Sequence, residues 1–464
     1  MTRWPGPQAW RGLPGHAGRS GHLGHLGHAG HLRCIVALLT WACVSTAWAQ
    51  HAAHGSAAPQ RRAPPALALG AAFAPDGVLW VVGLNPARRL FVQHSADAGL
   101  VWGTPRLLDI GQDVVSAEGE NRPKIAFGPS GQAVITYTQP LSRPYTGEIR
   151  MLRSDDGGRS FSAPFTVHRD RQLITHRFES VAFDAQGVLH TVWVDKRDLE
   201  ALKARSPGHA REAPAPQASP PAGVTGQARN RGPSVGYRGA AIYRNESRDG
   251  GQTFGPDLKV ADHSCECCRI ALAPTPSGGL AALWRHVFEP NERDHAFASF
   301  GGGAGGREEA TAGQVPASTP MRATLDRWAL EACPHHGPGL APAAAGGYHA
   351  VWFGIRAGVP AVRYGRLDAQ GAPASEVQAL PDPSAEHADI SSAGRHVAIV
   401  WRSFDGEATR LRAWVSDDDG RSFRLRELAR SADDNDPPRL VRRGGEVFAV
   451  WRNVKEVRVE RVLP

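Results

Sequence analysis

Two short stretches of the chain hold residues able to ligate a soft metal ion or to exchange electrons. SCECCRIALAP, residues 264 to 274, places Cys265, Cys267 and Cys268 within four positions. ACPHHGPGLAP, residues 332 to 342, holds Cys333 with His335 and His336. The other two of the 6 cysteines, Cys34 and Cys43, fall near the N-terminus. The two stretches superimpose without a gap: Cys265 on Cys333, Cys267 on His335, Cys268 on His336, Leu272 on Leu340 and Pro274 on Pro342. Thiolates with imidazoles suit Zn2+ or Cu+, with tetrahedral geometry for zinc, and His263 is a further candidate ligand. The spacing is not that of paired CxxC motifs. In an oxidising compartment the default for cysteines is a disulfide, yet adjacent or next-but-one cysteines fit disulfide geometry poorly. Cys333 can pair with one partner only. One bridge with leftover thiols, a strained redox-labile bridge and a metal site therefore all stay open.

The compartment follows from the N-terminus. Cys34 to Val44 is an apolar run of signal-peptide length, followed by the small-x-small signal Ala47-Trp48-Ala49, so residues 1–49 are expected to be a signal peptide cleaved near Ala49. The mature protein is then exported, periplasmic or secreted. No later segment offers the ~20 consecutive apolar residues of a membrane span. The long leader GHAGRSGHLGHLGHAGHLR, with its five histidines, is low-complexity sequence to which no function is assigned. Losing Arg3, Arg11, Arg19 and Arg33 lowers the formal charge from +8 to +4, a mild basicity that gives no reason to expect a nucleic-acid partner.

Internal repeats supply the architecture. Four segments share Ser-x-Asp-x-Gly-x-x-aromatic: Ser95, Asp97, Gly99 and Trp102; Ser154, Asp156, Gly158 and Phe161; Ser247, Asp249, Gly251 and Phe254; Ser416, Asp418, Gly420 and Phe423. This is turn chemistry, in which Asp accepts backbone N–H bonds, Gly takes a positive φ and the aromatic packs beneath. Between these turns recur apolar strand pairs such as IAFGPSGQAVITY at 125–137 and VAFDAQGVLHTVW at 181–193, about 50 residues apart. Alternating apolar residues bounded by Gly, Pro and Asp are strand signals. Units of four strands at this period predict an all-β propeller of six or seven four-stranded blades, spanning residues 66–464, with residues 50–65 as an N-terminal segment that could close the last blade. Pro-, Ala- and Gly-rich segments at about 199–236 and 300–320 are expected to be disordered insertions.

The four turns resemble the Asp-boxes of the sialidase-like, or BNR-repeat, propellers. CxCC at 265–268, Arg293-Asp294 and CPxxGP at 333–338 resemble a subgroup of exported BNR-repeat proteins. That resemblance implies that the cysteine cluster belongs to the top pocket, on the face opposite the Ser-x-Asp turns.

Inner-strand starts and second-strand ends converge on that face. They supply Glu120, Asn121 and Arg122, Arg177 and Glu179, the CECC group, Cys333, His335 and His336, His387 and Asp389, and Asp434, Asn435 and Asp436, with Asp195, Lys196 and Arg197 from a second-strand end. Arg285, Arg402 and Arg452 follow Trp284, Trp401 and Trp451, and together with Arg122 predict a basic funnel for a small anionic or glycan ligand. The expected site is thus a Cys/His/Arg pocket that binds Cu or Zn, or acts in a redox-linked way, through Cys265, Cys267, Cys268, Cys333, His335 and His336. An exo-α-sialidase-type hydrolase is the alternative. The resemblance implies three arginines and a Tyr nucleophile for it, but no Tyr is clearly placed and the N-terminal Phe/Tyr-Arg-Ile-Pro motif is absent. A glycan-binding or scaffold propeller without catalysis is a further alternative.

Overall fold

The computed structural model describes residues 67–117, 120–205, 239–301, 317–330 and 335–464. The expected signal peptide, residues 50–65, Cys333 and most of both insertions lie outside the described residues.

The strands run in antiparallel meanders, because each apolar alternation is closed by a tight turn. The first holds β1 (Leu69–Phe73), β2 (Leu79–Leu84), β3 (Leu90–Ser95) and β4 (Arg106–Leu107). The second holds β5 (Lys124–Phe127), β6 (Ala133–Pro140), β7 (Gly147–Ser154) and β8 (Phe165–Thr166). Next come β9 (His176–Phe183) and β10 (Leu189–Asp195), helix α1 (Arg197–Arg205), β11 (Ala240–Ser247) and β12 (Leu258–Ser264). The fourth comprises β13 (Ala271–Pro274), β14 (Leu280–Phe288), β15 (Glu292–Phe300) and β16 (Met321–Arg322), joined to the third by the pair Ser264 and His286. The fifth has β17 (Gly339–Pro342), β18 (Tyr348–Arg356), β19 (Val359–Leu367) and β20 (Gln378–Ala379). The sixth has β21 (Glu386–Ala393), β22 (His396–Phe404), β23 (Thr409–Ser416) and β24 (Arg424–Ser431). The last is three-stranded, with β25 (Arg439–Arg443), β26 (Glu446–Arg452) and β27 (Val457–Leu463).

Each inner strand lies beside the next, from β1 through β5, β9, β13, β17 and β21 to β25, and β25 lies beside β1. The sheets therefore stand around an axis, and the fold is a β-propeller. Trp193, Trp284, Trp401 and Trp451 are fully buried. Three of them find indole partners: Trp193 donates to Asp195, Trp401 to Asp382 and Trp451 to the carbonyl of Asp436, as buried indoles generally must.

The four Ser-x-Asp turns share one geometry at the ends of β3, β7, β11 and β23. Each Ser Oγ donates to the Asp two residues on at 2.7 Å, and accepts from the Gly amide at 2.7–2.9 Å. Gly99, Gly158, Gly251 and Gly420 have φ of 96°, 87°, 92° and 79°. In an up-and-down meander this third-to-fourth turn is at the opposite end from the inner-strand starts, so the turns floor the molecule.

The insertion expected at 199–236 starts later than its composition suggests. Residues Arg197–Arg205 form helix α1, because RDLEALKAR consists mostly of good helix formers and the prolines begin only at Pro207. Likewise Phe300 closes β15, and the amide of Ser318 donates to Ser299 at 2.8 Å, so both ends of the second insertion are anchored. Among the described residues no helix is long and apolar enough to cross a membrane.

A Cβ on Gly99 would stand 2.4 Å from Val459 Cγ2 on β27, whereas one on Gly131, also at positive φ (84°), would meet nothing within 4 Å. Gly99→Ala is therefore expected to cost more than Gly131→Ala, by about 1–3 kcal/mol from overpacking. Paired urea unfolding measurements test this, and equal losses would show that the contact between first and last blades is soft.

Candidate functional site

The inner strands surround an axial channel of about 510 Å³ whose walls carry Arg122, Lys124, Arg269, Arg439 and Arg442 as well as Asp389. Three of these cations have close counter-charges: Arg122 with Asp436 at 3.2 Å, Lys124 with Glu179 at 3.1 Å and Arg269 with Glu120 at 2.6 Å. Arg439 reaches Asp389 only at 3.7 Å. Burial, together with repulsion from Arg269 and Arg122, presses its guanidinium down to about 9.

Glu120 organises the mouth of the channel. It is 1% exposed and precedes β5, yet its carboxylate collects donors from three distant segments. Oε2 accepts the Arg269 amide at 3.2 Å and the Gly337 amide at 2.6 Å. Oε1 accepts Arg269 Nη1 at 2.6 Å and faces His387 Nδ1 at 3.3 Å. Arg269 directly follows Cys268, and Gly337 directly follows His336, so one carboxylate fixes the segments that carry all the candidate ligands. Burial opposes the charge of Glu120, but Arg269 and His387 outweigh it and hold the carboxyl well below its ordinary value.

Cys265, Cys267 and Cys268 lie on the crossover from β12 to β13, 1%, 6% and 3% exposed. The crossover is pinned where the Cys265 amide donates to the Arg285 carbonyl at 3.0 Å. Their sulfurs are 3.7 Å apart for Cys265 and Cys267 and 3.8 Å for Cys267 and Cys268, and those of all three lie within 4.8 Å of one another. The Cys268 thiol is pushed well above its ordinary value by its contact with Cys265 and by burial, against the opposing effect of Cys267. Beneath the sulfurs lies apolar core that includes Phe178, Ile270 and Trp284.

The matching crossover into β17 separates its two histidines. His335 is exposed and takes a φ of 54°, and Cys265 and Glu120 both act electrostatically on it. His336, which sequence alignment puts on Cys268, turns away from the thiols. It stacks on His387 with centroids 4.5 Å apart and planes 7° apart, and groups with Glu386 and His387 instead. His387 reaches it from β21 because a bulge between Glu386 and Asp389 re-aims the strand at a φ of 51°.

The arginines expected to form a funnel are spent between blades. Arg285, 1% exposed, donates to the carbonyls of Phe353 at 2.7 Å and His336 at 3.1 Å. Arg452 donates to the Leu84 carbonyl at 2.8 Å, and Arg402 to the Asn435 carbonyl at 2.8 Å. Arg402 also pairs with Glu386 at 2.9 Å. Of the four, only Arg122 lines the channel. Guanidinium forks suit this role because five donors can satisfy carbonyls that strand ends leave open. Asp294 of the Arg293-Asp294 pair is likewise internal, accepting the amides of Asp326 and Arg327.

Sequence reading places Glu120 among the top-face inner-strand starts without giving it a role, and does not single out Glu386 or Arg439. For Glu120 a signal existed: it stands just before an inner strand, as Cys268 and His336 do.

No protein-family model matches the chain, and no curated protein matches it. Among solved structures the chain is similar to a Hadza microbial sialidase, at 12% identity over 81% of this chain and 73% of that one, with a TM-score of 0.45. It is similar to an ulvan lyase at 11% identity over 86% and 94%, TM-score 0.47, and to a Penicillium chrysogenum α-L-arabinanase at 14% over 76% and 96%, TM-score 0.43. Likenesses at this level assign no activity to this chain.

Glu120→Gln leaves Arg269 buried without its counter-charge and is expected to cost about 3–5 kcal/mol. The sign of the pH effect follows from the depressed carboxyl: its contribution is complete above the ordinary value of 4.5 and is lost as pH falls below it. Denaturant unfolding near pH 7 and near pH 4 should show the gap between wild type and variant shrinking with acid. A gap that stays constant would show that the charge of Glu120 is not what holds the three segments.

Proposed function

We propose that this is an exported propeller that binds a thiophilic metal ion, Zn2+ or Cu+, through Cys265, Cys267 and Cys268. The observation that carries the reading is the sulfur geometry. A tetrahedral ion with bonds of about 2.3 Å to sulfur separates its ligands by about 3.8 Å, and the two measured separations are 3.7 and 3.8 Å. These are far longer than a disulfide's S–S bond of about 2.05 Å. His335, which is exposed, and Cys333 are the candidates for the fourth position. A protein ligand there closes the site for a structural ion, and a vacancy leaves it open to exchange.

A second reading has its own support: the cationic channel, with Arg439 lacking a close counter-charge, suits a small anionic or glycan ligand at the axis. Hydrolysis of such a ligand by a sialidase-type mechanism is the alternative function. Burial raises the phenols of Tyr137, Tyr243, Tyr348 and Tyr364, the opposite of what a nucleophile requires.

Elemental mass spectrometry of the mature protein purified from its export compartment tests the metal reading. Near-stoichiometric Zn or Cu is expected, lost in the Cys267→Ser/Cys268→Ser variant. Affinity should fall on acidification, because protons compete for the thiolates. Metal-free protein with all its thiols titratable would overturn the reading and favour the anionic ligand.

A further inference from the structure

We infer that the axial channel takes an oxyanion from the floor of the molecule, past Arg442, and holds it on Arg439. The inference rests on the anionic-ligand reading above and adds to it the entry face, the anchoring residue and the charged group of the ligand.

The upper mouth of the channel is closed. Arg269, 5% exposed, stands before β13 and pairs with Glu120, which stands before β5. Its Nε donates to the Pro338 carbonyl at 3.0 Å, just ahead of β17, and its Nη2 to the carbonyl of Ala388 in β21. None of β13, β17 and β21 neighbours β5 in the ring, so the ion pair spans the axis as a ceiling. A buried pair of this kind is costly to break, and the ceiling is no entrance.

The lower end is open. Arg442, near the end of β25, is exposed, whereas Arg439 at its start is half-buried, and Pro274 at the end of β13 is exposed as well. A cavity of about 390 Å³ lies among Phe73, Phe127 and Phe183, the last residues of β1, β5 and β9. It shares Arg442 with the channel and forms a vestibule below it.

The unneutralised charge lies along this route. Arg122, Lys124 and Arg269 have Asp436, Glu179 and Glu120 as close partners. Arg439 faces Asp389 at 3.7 Å, too far for a hydrogen bond, and Asp389 already accepts the Leu440 amide at 3.0 Å. Among the described residues the Arg439 guanidinium meets no closer acceptor, and donors inside a protein are rarely left so. Its planar fork matches two oxygens of a sulfate, phosphate or carboxylate. Arg442 spends one donor on the Ser392 carbonyl at 3.3 Å and keeps its charge at the entrance, where it draws anions in.

Calorimetric titration of the mature protein at low salt with sulfate, inorganic phosphate and glucuronate tests this. Saturable one-to-one binding of at least one probe is expected, weakened about 10-fold or more by Arg439→Met, since a hydrogen-bonded charge is lost. Arg442→Glu is expected to weaken it too, because an anion under the ceiling feels the charge at the floor, whereas one held above the Glu120–Arg269 pair does not. Tighter binding of sulfate or phosphate marks a free inorganic ion as the ligand, and tighter binding of glucuronate marks the end group of an acidic sugar. Arg439→Met removes a charge that Arg269 and Arg122 repel, so its melting temperature should not fall; if it does, the exposed Arg442→Glu decides. Anion binding that Arg442→Glu leaves unchanged would overturn the inference and spare the anionic-ligand reading, while no saturable binding of any probe would overturn both.

Discussion

A single buried carboxylate holds the upper face together. Glu120 is separated by 149 residues from Arg269, 217 from Gly337 and 267 from His387, and it satisfies donors from all three. A charge taken out of water is tolerated only when paired and fully hydrogen-bonded, and here the pairing also sets position. The crossover bearing the thiols, the one bearing the two histidines and the bulged start of β21 all take their places from it. Three segments far apart in the sequence therefore depend on one residue.

The arginines show the same economy. A propeller leaves carbonyls open wherever a second strand ends at the top of its sheet, and a neighbouring blade cannot satisfy them with its own backbone. Arg285, Arg402 and Arg452 follow the buried tryptophans of β14, β22 and β26; Arg285 and Arg452 reach across to such carbonyls at Phe353 and Leu84, and Arg402 to the Asn435 carbonyl ahead of β25. Their recurrence at one register is a packing device. What positive charge faces the axis comes from Arg122 and from Lys124, Arg269, Arg439 and Arg442, in or beside the inner strands.

The period of the fold was legible in the sequence because turns and strands are local. Ser154-x-Asp156-x-Gly158 fixes its own geometry within five residues, and the alternation in IAFGPSGQAVITY needs no distant partner to be recognised. The gapless overlay of the CECC and CPHH stretches was legible too, as two crossovers at one register. Beyond that the sequence was ambiguous for a physical reason. Whether an arginine faces a channel or a carbonyl, and whether His336 turns to the thiols or to His387, depends on residues hundreds of positions away. Composition misled at α1, where Ala-, Leu- and Arg-rich helix runs into Pro-rich sequence without a break in polarity.

The junction of the first and last blades bears on how the chain folds. The amide of Leu69 donates to Asp436 Oδ2 at 2.8 Å, across 367 residues, and β1 finds β25 only once both exist. Long-range closures of this kind slow folding and come late. Until then the growing ring has two unprotected flanks, surfaces prone to associate with other chains.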